Sequence, residues 1–277
     1  MIKKKIAIIC QEDTLWALYA WNKVFEDPRF KETFAIAGFW NCEEKFYTVK
    51  KENIYKWYLN TFGLPNFIKL GLFTVISRIS FVIKSIILGY RNSFKNLCKV
   101  NNLEYFNTLT PNSPEFIDWV KKNEVDVLIV MVGHILQKEI LRAPAICSIN
   151  KHAGLLPANK GVLPYFWART KNETQGISFH IMNEKIDEGK LVYQEKVENR
   201  ILTRSLVSFY FYSHKNYGKM LFDALRNLEN ENYIKPLTNK SSYHSLPTGN
   251  DYRSFRDAGG KIICWPDIFL LFKFRRD

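Results

Sequence analysis

Three polar side chains in the middle of the chain have the types and the spacing to move protons. Asn150 and His152 follow a short apolar run, residues 145–149, that is typical of a buried strand. Because residues two apart on a strand point to the same side, the amide and the imidazole are expected side by side. Asp187 follows a second apolar segment, residues 176–182. An amide, an imidazole and a carboxylate together can stabilise an oxyanion and transfer protons.

Each motif has a structural explanation when it is taken alone. An Asn-x-His at a strand end is often structural, and the Ile-Asp-Glu-Gly of residues 186–189 is typical of a turn, which favours Asp and Gly. The combination is more specific, because a Leu-Leu-Pro loop at 155–157, followed by Lys-Gly at 160–161, lies between them. We therefore interpret the amide, the imidazole and the carboxylate as catalytic.

The three motifs, within residues 125–200, resemble the folate-dependent formyltransferase family, which includes methionyl-tRNA, glycinamide ribonucleotide and sugar N-formyltransferases. The resemblance implies transfer of a formyl group from 10-formyltetrahydrofolate to a primary amine, a one-carbon transfer without a metal or a covalent intermediate. Asn150 and His152 are then expected to donate hydrogen bonds to the developing oxyanion, with His152 protonated for charge assistance. Asp187 is expected to orient His152, raise its pKa and help to relay a proton.

The resemblance also implies where the donor binds. The strand predicted over 125–132 ends before a glycine, which allows close approach, and aliphatic side chains that suit a flat ring follow. The residues expected around the donor are Gly133, His134, Ile135, Leu136, Leu141, Glu184 and Ile186.

The acceptor is predicted from the segment after the loop. Residues 164–167, Pro-Tyr-Phe-Trp, are more similar to the Pro-x-x-Trp of sugar N-formyltransferases than to the Pro-Ile of the tRNA enzymes. This favours the amino group of a nucleotide-linked amino sugar, used in polysaccharide biosynthesis. The first turn, residues 11–14, has no glycine, which disfavours glycinamide ribonucleotide. The predicted substrate-binding residues are Lys151, Lys160, Tyr165 and Trp167.

Two alternatives stay open. The net charge of +13, from 40 basic and 27 acidic residues, keeps a methionyl-tRNA formyltransferase with a truncated C-terminal domain in consideration. A non-catalytic, membrane-peripheral protein could also use the same fold as a scaffold. The charge favours anionic partners such as nucleotides, phosphates, RNA or a membrane surface, but it equally suits a soluble, lysine-rich protein.

Cysteine usage and the N-terminus favour a cytoplasmic protein. The five cysteines are scattered and form no Cys-x-x-Cys, so they predict neither a disulfide framework nor a zinc site. The apolar run at 6–10 is too short for the core of a signal peptide.

Apolar segments and helical patterns alternate along the chain in a way that predicts an α/β fold. Strands are expected at 4–10, 34–40, 125–132, 145–149, 176–182 and 190–197. Helices are expected at 14–25, 113–122, 137–141 and from a Thr203 cap to about residue 228. This order is typical of a doubly wound, Rossmann-like, mostly parallel sheet with helices on both faces.

The predicted catalytic domain covers residues 1–230 and contains an apolar helical insertion at about 52–95. Residues 231–277 form a basic, turn-rich extension, too short for the β-barrel domain of the tRNA enzymes. Within the insertion, residues 66–90 are the most apolar long segment, with basic interruptions. Two interpretations stay open: a helix that packs on the sheet or in a homodimer, or a basic amphipathic helix on a membrane surface.

Overall fold

A seven-stranded mixed sheet forms the centre of the molecule. The computed structural model describes residues 3–13, 16–43 and 51–272; the predicted helix start at Thr14 lies outside them. The strand order is β3-β2-β1-β4-β5-β7-β8. The strands are β1 (Lys5–Gln11), β2 (Ala35–Cys42), β3 (Tyr105–Thr108), β4 (Val127–Met131), β5 (Cys147–His152), β7 (Gly176–Ile181) and β8 (Leu191–Lys196), and a separate pair comprises β6 (Lys160–Gly161) and β9 (Tyr243–His244).

The first five strands run parallel to one another, whereas β7 and β8 add antiparallel strands at one edge. The central strands are apolar on both faces because helices cover both faces. The helices are α1 (Ala17–Glu26), α2 (Pro28–Thr33), α3 (Lys51–Leu88), α4 (Phe94–Val100), α5 (Pro114–Lys122), α6 (Lys138–Leu141), α7 (Pro164–Thr170), α8 (Leu206–Lys215), α9 (Tyr217–Glu229) and α10 (Gly249–Asp257), followed by a 3-10 helix (Trp265–Phe272). The predicted doubly wound, mostly parallel fold is confirmed.

Helix caps show how the local sequence determines where the helices begin. Ser113 caps α5, the helix predicted over 113–122: its hydroxyl accepts the N–H of Phe116, and a proline occupies the first turn. The prediction of one long helix capped by Thr203 is wrong. Ser205 caps α8 in a reciprocal capping box with Ser208, and the helical path is interrupted at Asn216 before α9 begins.

The insertion forms α3, a 38-residue helix with a kink at Gly63, whose φ of 75° is not helical. Residues 66–90, predicted to be helical, lie in it up to Leu88. One side of α3 buries Phe62, Phe73 and Phe81 against the rest of the protein. The opposite side is exposed and apolar.

The C-terminal extension packs on the predicted catalytic domain. Strand β9 pairs with β6, Lys160 opposite Tyr243 and Gly161 opposite His244. The fully buried ring of Phe255 in α10 stacks on Phe166 in α7, with centroids 4.4 Å apart. The extension therefore shares the core of the larger unit.

Candidate active site

The carboxyl ends of β1, β4 and β5 surround a cavity of about 430 Å³. The chain proceeds from β1 to β2 and β3 on one side, and then to β4 and β5 on the other. The strand order therefore reverses between β1 and β4, which is where open α/β sheets bind ligands. The volume lies within the range of small-molecule sites.

The three predicted catalytic side chains all line this cavity. Strand β5 carries Asn150 and His152 on one side, and the loop after β7 brings in Asp187. The half-buried amide of Asn150 makes no hydrogen bond to any residue that the structure describes. It is therefore available to a ligand.

His152 is buried and uses both ring nitrogens. Nε2 lies 2.9 Å from the carbonyl oxygen of Asn159, and Nδ1 lies 3.5 Å from Oδ2 of Asp187. Because a carbonyl only accepts hydrogen bonds, the proton of the neutral ring is on Nε2, and the Nδ1 lone pair faces the carboxylate.

Asp187 acts to raise the pKa of His152, as expected, but the net shift is downward, against the expectation of a protonated ring. Burial disfavours the charged ring and lowers its pKa, although Asp187 and the Asn159 carbonyl both act to raise it. His180 nearby opposes protonation as well. The imidazole is therefore neutral near neutral pH, and it is placed to accept a proton rather than to hold a positive charge beforehand.

Asp187 is held by three groups. Its Oδ2 accepts the backbone N–H of Gly161 at 2.8 Å, and its Oδ1 lies 3.4 Å from Nε2 of His180. Burial acts against ionisation of the carboxyl, but His152, His180 and the Gly161 N–H outweigh it and hold the pKa of Asp187 well below its usual range. The site therefore contains a carboxylate beside a neutral imidazole.

Two motif glycines are required by close packing. A Cβ at Gly189 would overlap the carbonyl oxygen of Ile181, so the loop can lie against β7 and bring Asp187 back to the cavity only with glycine here. Gly161 has a φ of +93°, and a Cβ there would overlap the carbonyl of His244. The distal Ile-Asp-x-Gly and the Lys-Gly thus position the carboxylate and its N–H donor.

Hydrogen bonds and burial hold the Leu-Leu-Pro loop in place beneath the site. Leu155 and Leu156 are buried, and the Leu156–Pro157 peptide is cis. The hydroxyl of Ser178 accepts the N–H of Leu156 at 3.1 Å and donates to the carbonyl of Gly154 at 2.7 Å. These bonds fix the loop that presents the Asn159 carbonyl to His152.

One side of the cavity is an apolar slot. All seven residues predicted to surround the donor line the cavity, and Met182 and Val132 join them. The backbone N–H of Gly133 donates to the side-chain oxygen of Gln11, which ties the slot to β1. Glu184 at the rim accepts a bond from Arg142 at 3.2 Å. The slot is suited to a flat ring with polar edges.

The other side of the cavity is aromatic. Trp16 lies 5.5 Å from the ring of His214 and 6.3 Å from that of Tyr210. Lys151, on the opposite face of β5 from Asn150, places its Nζ 3.1 Å from Nε2 of His214. Burial lowers the pKa of Lys151 to about 7. Of the four predicted substrate-binding residues, only Lys151 lines the cavity.

The structure places the other three predicted substrate-binding residues away from the lining of this cavity. Lys160 does not line the cavity, and its Nζ is 2.6 Å from Oε1 of Glu188. Tyr165 is 0% exposed and donates its hydroxyl proton to the carbonyl of Thr203. Trp167 stacks on His244, with centroids 4.5 Å apart. Tyr165 and Trp167 lie in α7, which directs their rings into the core and towards the C-terminal extension.

His180 also lines the cavity, although none of the sequence motifs includes it. Its Nδ1 donates to the carbonyl of Ile181, and its Nε2 faces Asp187. A polar residue two positions after Ser178 in an otherwise apolar strand was the available signal. Its place became clear only from the pairing of β7 with β5, which sets His180 opposite Asn150. Within the described ranges, no group of three His, Cys, Asp or Glu residues is placed to hold a metal ion.

Known proteins are similar to part of this chain in sequence. Methionyl-tRNA formyltransferase of Clostridioides difficile is 29% identical over 160 residues, which is 56% of this chain and 51% of that protein. The bifunctional polymyxin resistance protein ArnA of Wigglesworthia glossinidia brevipalpis is 27% identical over 199 residues, 70% of this chain and 28% of that protein. The chain thus spans about half, or less, of the length of these curated relatives.

Solved structures that match most of the chain include two formyltransferases. A sugar N-formyltransferase from Shewanella superposes with a TM-score of 0.55 at 15% identity, covering 92% of this chain and 87% of that one. A 4-N formyltransferase from Francisella tularensis gives 0.52 at 17% identity, covering 97% and 86%. At these identities the likeness shows a common fold.

The family model described as Formyl transferase matches residues 86–225, half of the chain, and includes Asn150, His152 and Asp187. The predicted resemblance is confirmed, and the chain belongs to the formyl transferase family.

Proposed function

We propose that this protein transfers a formyl group from 10-formyltetrahydrofolate to a primary amine. One observation carries the proposal: Asn150, His152 and Asp187 line a single cavity at the switch point of the sheet, beside an apolar slot. Family membership supports the same reaction class.

The residues of the slot fit the proposed donor. Ile135, Leu136 and Ile186 offer apolar surface to a flat bicyclic ring, and Gly133 allows its close approach. When bound, 10-formyltetrahydrofolate supplies an activated formyl group and a stable leaving group. The protein must then hold the acceptor amine, stabilise the carbonyl oxygen and remove a proton.

The site residues divide these tasks. As an amine adds to a formyl carbon, the carbonyl oxygen gains negative charge, and the free amide of Asn150 can donate a hydrogen bond to it. The amine nitrogen must lose a proton, and Nδ1 of the neutral His152 can accept it. Asp187 then stabilises the imidazolium, because its carboxylate is 3.5 Å away and ionised. The same proton can return to N10 of the donor when the bond between N10 and the formyl carbon breaks, so that tetrahydrofolate leaves.

The acceptor that we favour is the amino group of a nucleotide-linked amino sugar. The aromatic side of the cavity, formed by Trp16, Tyr210 and His214, offers flat surfaces against which the C–H face of a sugar ring can pack. The solved proteins from Shewanella and Francisella, which share the fold over most of this chain, are described as a sugar N-formyltransferase and a 4-N formyltransferase.

A second acceptor is methionyl-tRNA. The relative from Clostridioides difficile is a methionyl-tRNA formyltransferase, and the net charge of +13 would attract a polyanion. For either acceptor we place the protein in the reducing cytoplasm, in accord with its five free cysteines.

A single assay separates the two acceptors. Purified protein and 10-formyltetrahydrofolate are incubated with dTDP- or UDP-linked amino sugars, or with methionyl-tRNA, and tetrahydrofolate release and the N-formyl product are both quantified. We expect turnover with at least one sugar nucleotide. Turnover with methionyl-tRNA but with no sugar nucleotide would assign methionyl-tRNA as the acceptor. Formyl transfer to neither acceptor would contradict the proposed function.

A further inference from the structure

The exposed side of α3 carries a continuous apolar stripe. Its members recur every three or four residues, as one face of a helix requires, and each is between 43% and 79% exposed. The stripe, called the α3 stripe below, comprises Leu64, Ile68, Leu72, Val75, Ile79, Val82 and Ile86. Large apolar side chains that share one exposed face indicate an interaction surface.

The C-terminal 3-10 helix packs beside α3 and carries exposed aromatic side chains of its own. Ser80 of α3 donates to the carbonyl of Leu271 at 2.6 Å, and Nζ of Lys69 lies 5.9 Å from the ring centre of Trp265. Trp265 and Phe269 are themselves exposed. Aromatic rings beside a basic side chain are typical of the zone between lipid headgroups and acyl chains.

The opposite side of α3 is fixed to the folded protein. Phe73 stacks on Trp16, Phe62 contacts the ring of Tyr252 edge-on, and Phe81 packs against Tyr90. By length and composition, residues 53–88 would suffice to cross a bilayer, and only 28% of their most apolar window is buried. Because these contacts hold one side along the helix, α3 is suited to lying on a bilayer rather than to crossing it.

Charge identifies the partner. Residues 53–103 contain seven Lys or Arg and no Asp or Glu. Arg78 is exposed beside the α3 stripe, and Lys69 is half-buried next to Trp265. If two copies packed their stripes together, these basic residues would meet with no acidic partner within residues 53–103 of either copy. An anionic surface complements them instead.

We propose that the α3 stripe, with Trp265 and Phe269, docks the protein on an anionic lipid bilayer. The apolar side chains enter the boundary between headgroups and acyl chains, and the flanking basic residues contact the headgroups. This inference is independent of the proposed formyl transfer, since it involves no residue of the cavity.

Vesicle co-sedimentation tests the inference. The full chain is incubated with vesicles of phosphatidylcholine alone, or of equal parts phosphatidylcholine and phosphatidylglycerol, and the bound fraction is measured over a range of lipid concentrations. We expect binding to the anionic vesicles that is weakened about tenfold by the Ile68→Asp/Ile79→Asp pair. Arg78→Glu with Lys69→Glu should weaken it as well, and added salt should reduce binding of the wild type.

Matched controls use exposed residues elsewhere. Leu109→Asp/Ile146→Asp changes two exposed apolar residues off the stripe, and Lys121→Glu/Lys122→Glu reverses two exposed charges on α5. Both pairs should bind vesicles like the wild type, and all variants should keep the wild-type melting temperature.

Two results would overturn the inference. One is a wild type that does not bind anionic vesicles. The other is a wild type that is dimeric by light scattering and becomes monomeric in the Ile68→Asp/Ile79→Asp variant, because a second copy would then cover the stripe.

Discussion

At the residue scale, the site depends on how two histidines share one carboxylate. Each ring donates one N–H to a backbone carbonyl, His152 to Asn159 and His180 to Ile181, and turns its second nitrogen towards Asp187. The carbonyls thus decide which nitrogen faces the carboxylate. A proton taken up at Nδ1 of His152 arrives next to an ionised carboxylate.

The pH dependence of turnover should reveal His152 as a base. Its pKa is lowered by burial, so the folded-state pKa lies below the ordinary value for histidine of about 6.5. The neutral, active form is lost only as the pH falls through that lowered pKa. We expect kcat to be level between about pH 7 and 8 and to decline only at lower pH. A kcat that falls as the pH rises from about 6 to 8 would instead indicate a required imidazolium.

His180 should act as a positioning residue for Asp187. Replacing it with Asn removes the ring that faces Oδ1, so the carboxylate loses one of the groups that favour its ionised form. We expect kcat to fall about tenfold with little change in the KM for either substrate, measured by tetrahydrofolate release. A change confined to KM would assign His180 to binding.

Much of the candidate site could be predicted from sequence because its spacing follows from elementary geometry. Asn150 and His152 had to share a strand face, and Asp187 lay in a recognisable turn. The roles of His180 and Asn159 could not be predicted, because they arise from strand pairing and loop closure between distant segments. The positions of Tyr165 and Trp167 away from the cavity could not be predicted, since the direction of a helix face depends on what packs against it.

At the element scale, the loop after β7 is shaped by the contact of Gly189 with the strand. A Cβ at this position would overlap backbone, which cannot move aside as a flexible side chain can. The same loop carries Asp187 at a φ of 55°, a conformation that Asp tolerates better than most residues. The loop conformation that Gly189 permits is therefore also what places Asp187 at the cavity.

Gly189→Ala should consequently displace Asp187. We expect a loss of about 1–3 kcal/mol in the free energy of unfolding, as for other overpacked sites, together with a fall in kcat of at least tenfold. Gly71→Ala is the matched control: a Cβ there meets nothing within 4 Å, and alanine favours the helix. The melting temperature and kcat of both variants test this prediction. Equal values for the two variants would refute the packing argument.

Element type was easier to predict than element limits. Strands β1 and β4 are apolar on both faces and were evident from their composition. The break between α8 and α9 was not, because the apolar spacing continues through Asn216. The antiparallel addition of β7 and β8 also depends on tertiary pairing that no local signal specifies.

At the scale of the whole molecule, the C-terminal extension contributes to the site. Strand β9 pairs with the short β6, whose Gly161 N–H holds Asp187. The hydroxyl of Ser242 also accepts the N–H of Asn159, whose carbonyl fixes His152. We propose that residues 231–272 fold as one unit with the preceding residues rather than as a separate appendage.

Cooperative unfolding should show this unity. Phe255 in the extension is fully buried against Phe166, so Phe255→Ala should cost about 3–5 kcal/mol and lower the melting temperature of the entire chain in a single transition. Phe269→Ala, which removes an exposed ring, should leave the melting temperature almost unchanged. A separate early transition for the extension in calorimetry would show that the two parts unfold independently.

The most direct measurement compares formyl transfer by Asp187→Asn and Glu188→Gln. The substitutions neutralise adjacent carboxylates, but only Asp187 lies beside His152, whereas Glu188 pairs with Lys160 away from the cavity. With a working acceptor and 10-formyltetrahydrofolate, we predict that Asp187→Asn lowers kcat at least about 100-fold while Glu188→Gln stays within about threefold of the wild type. Equal turnover by both variants, at unchanged melting temperature, would contradict the assignment of the cavity as the site of transfer.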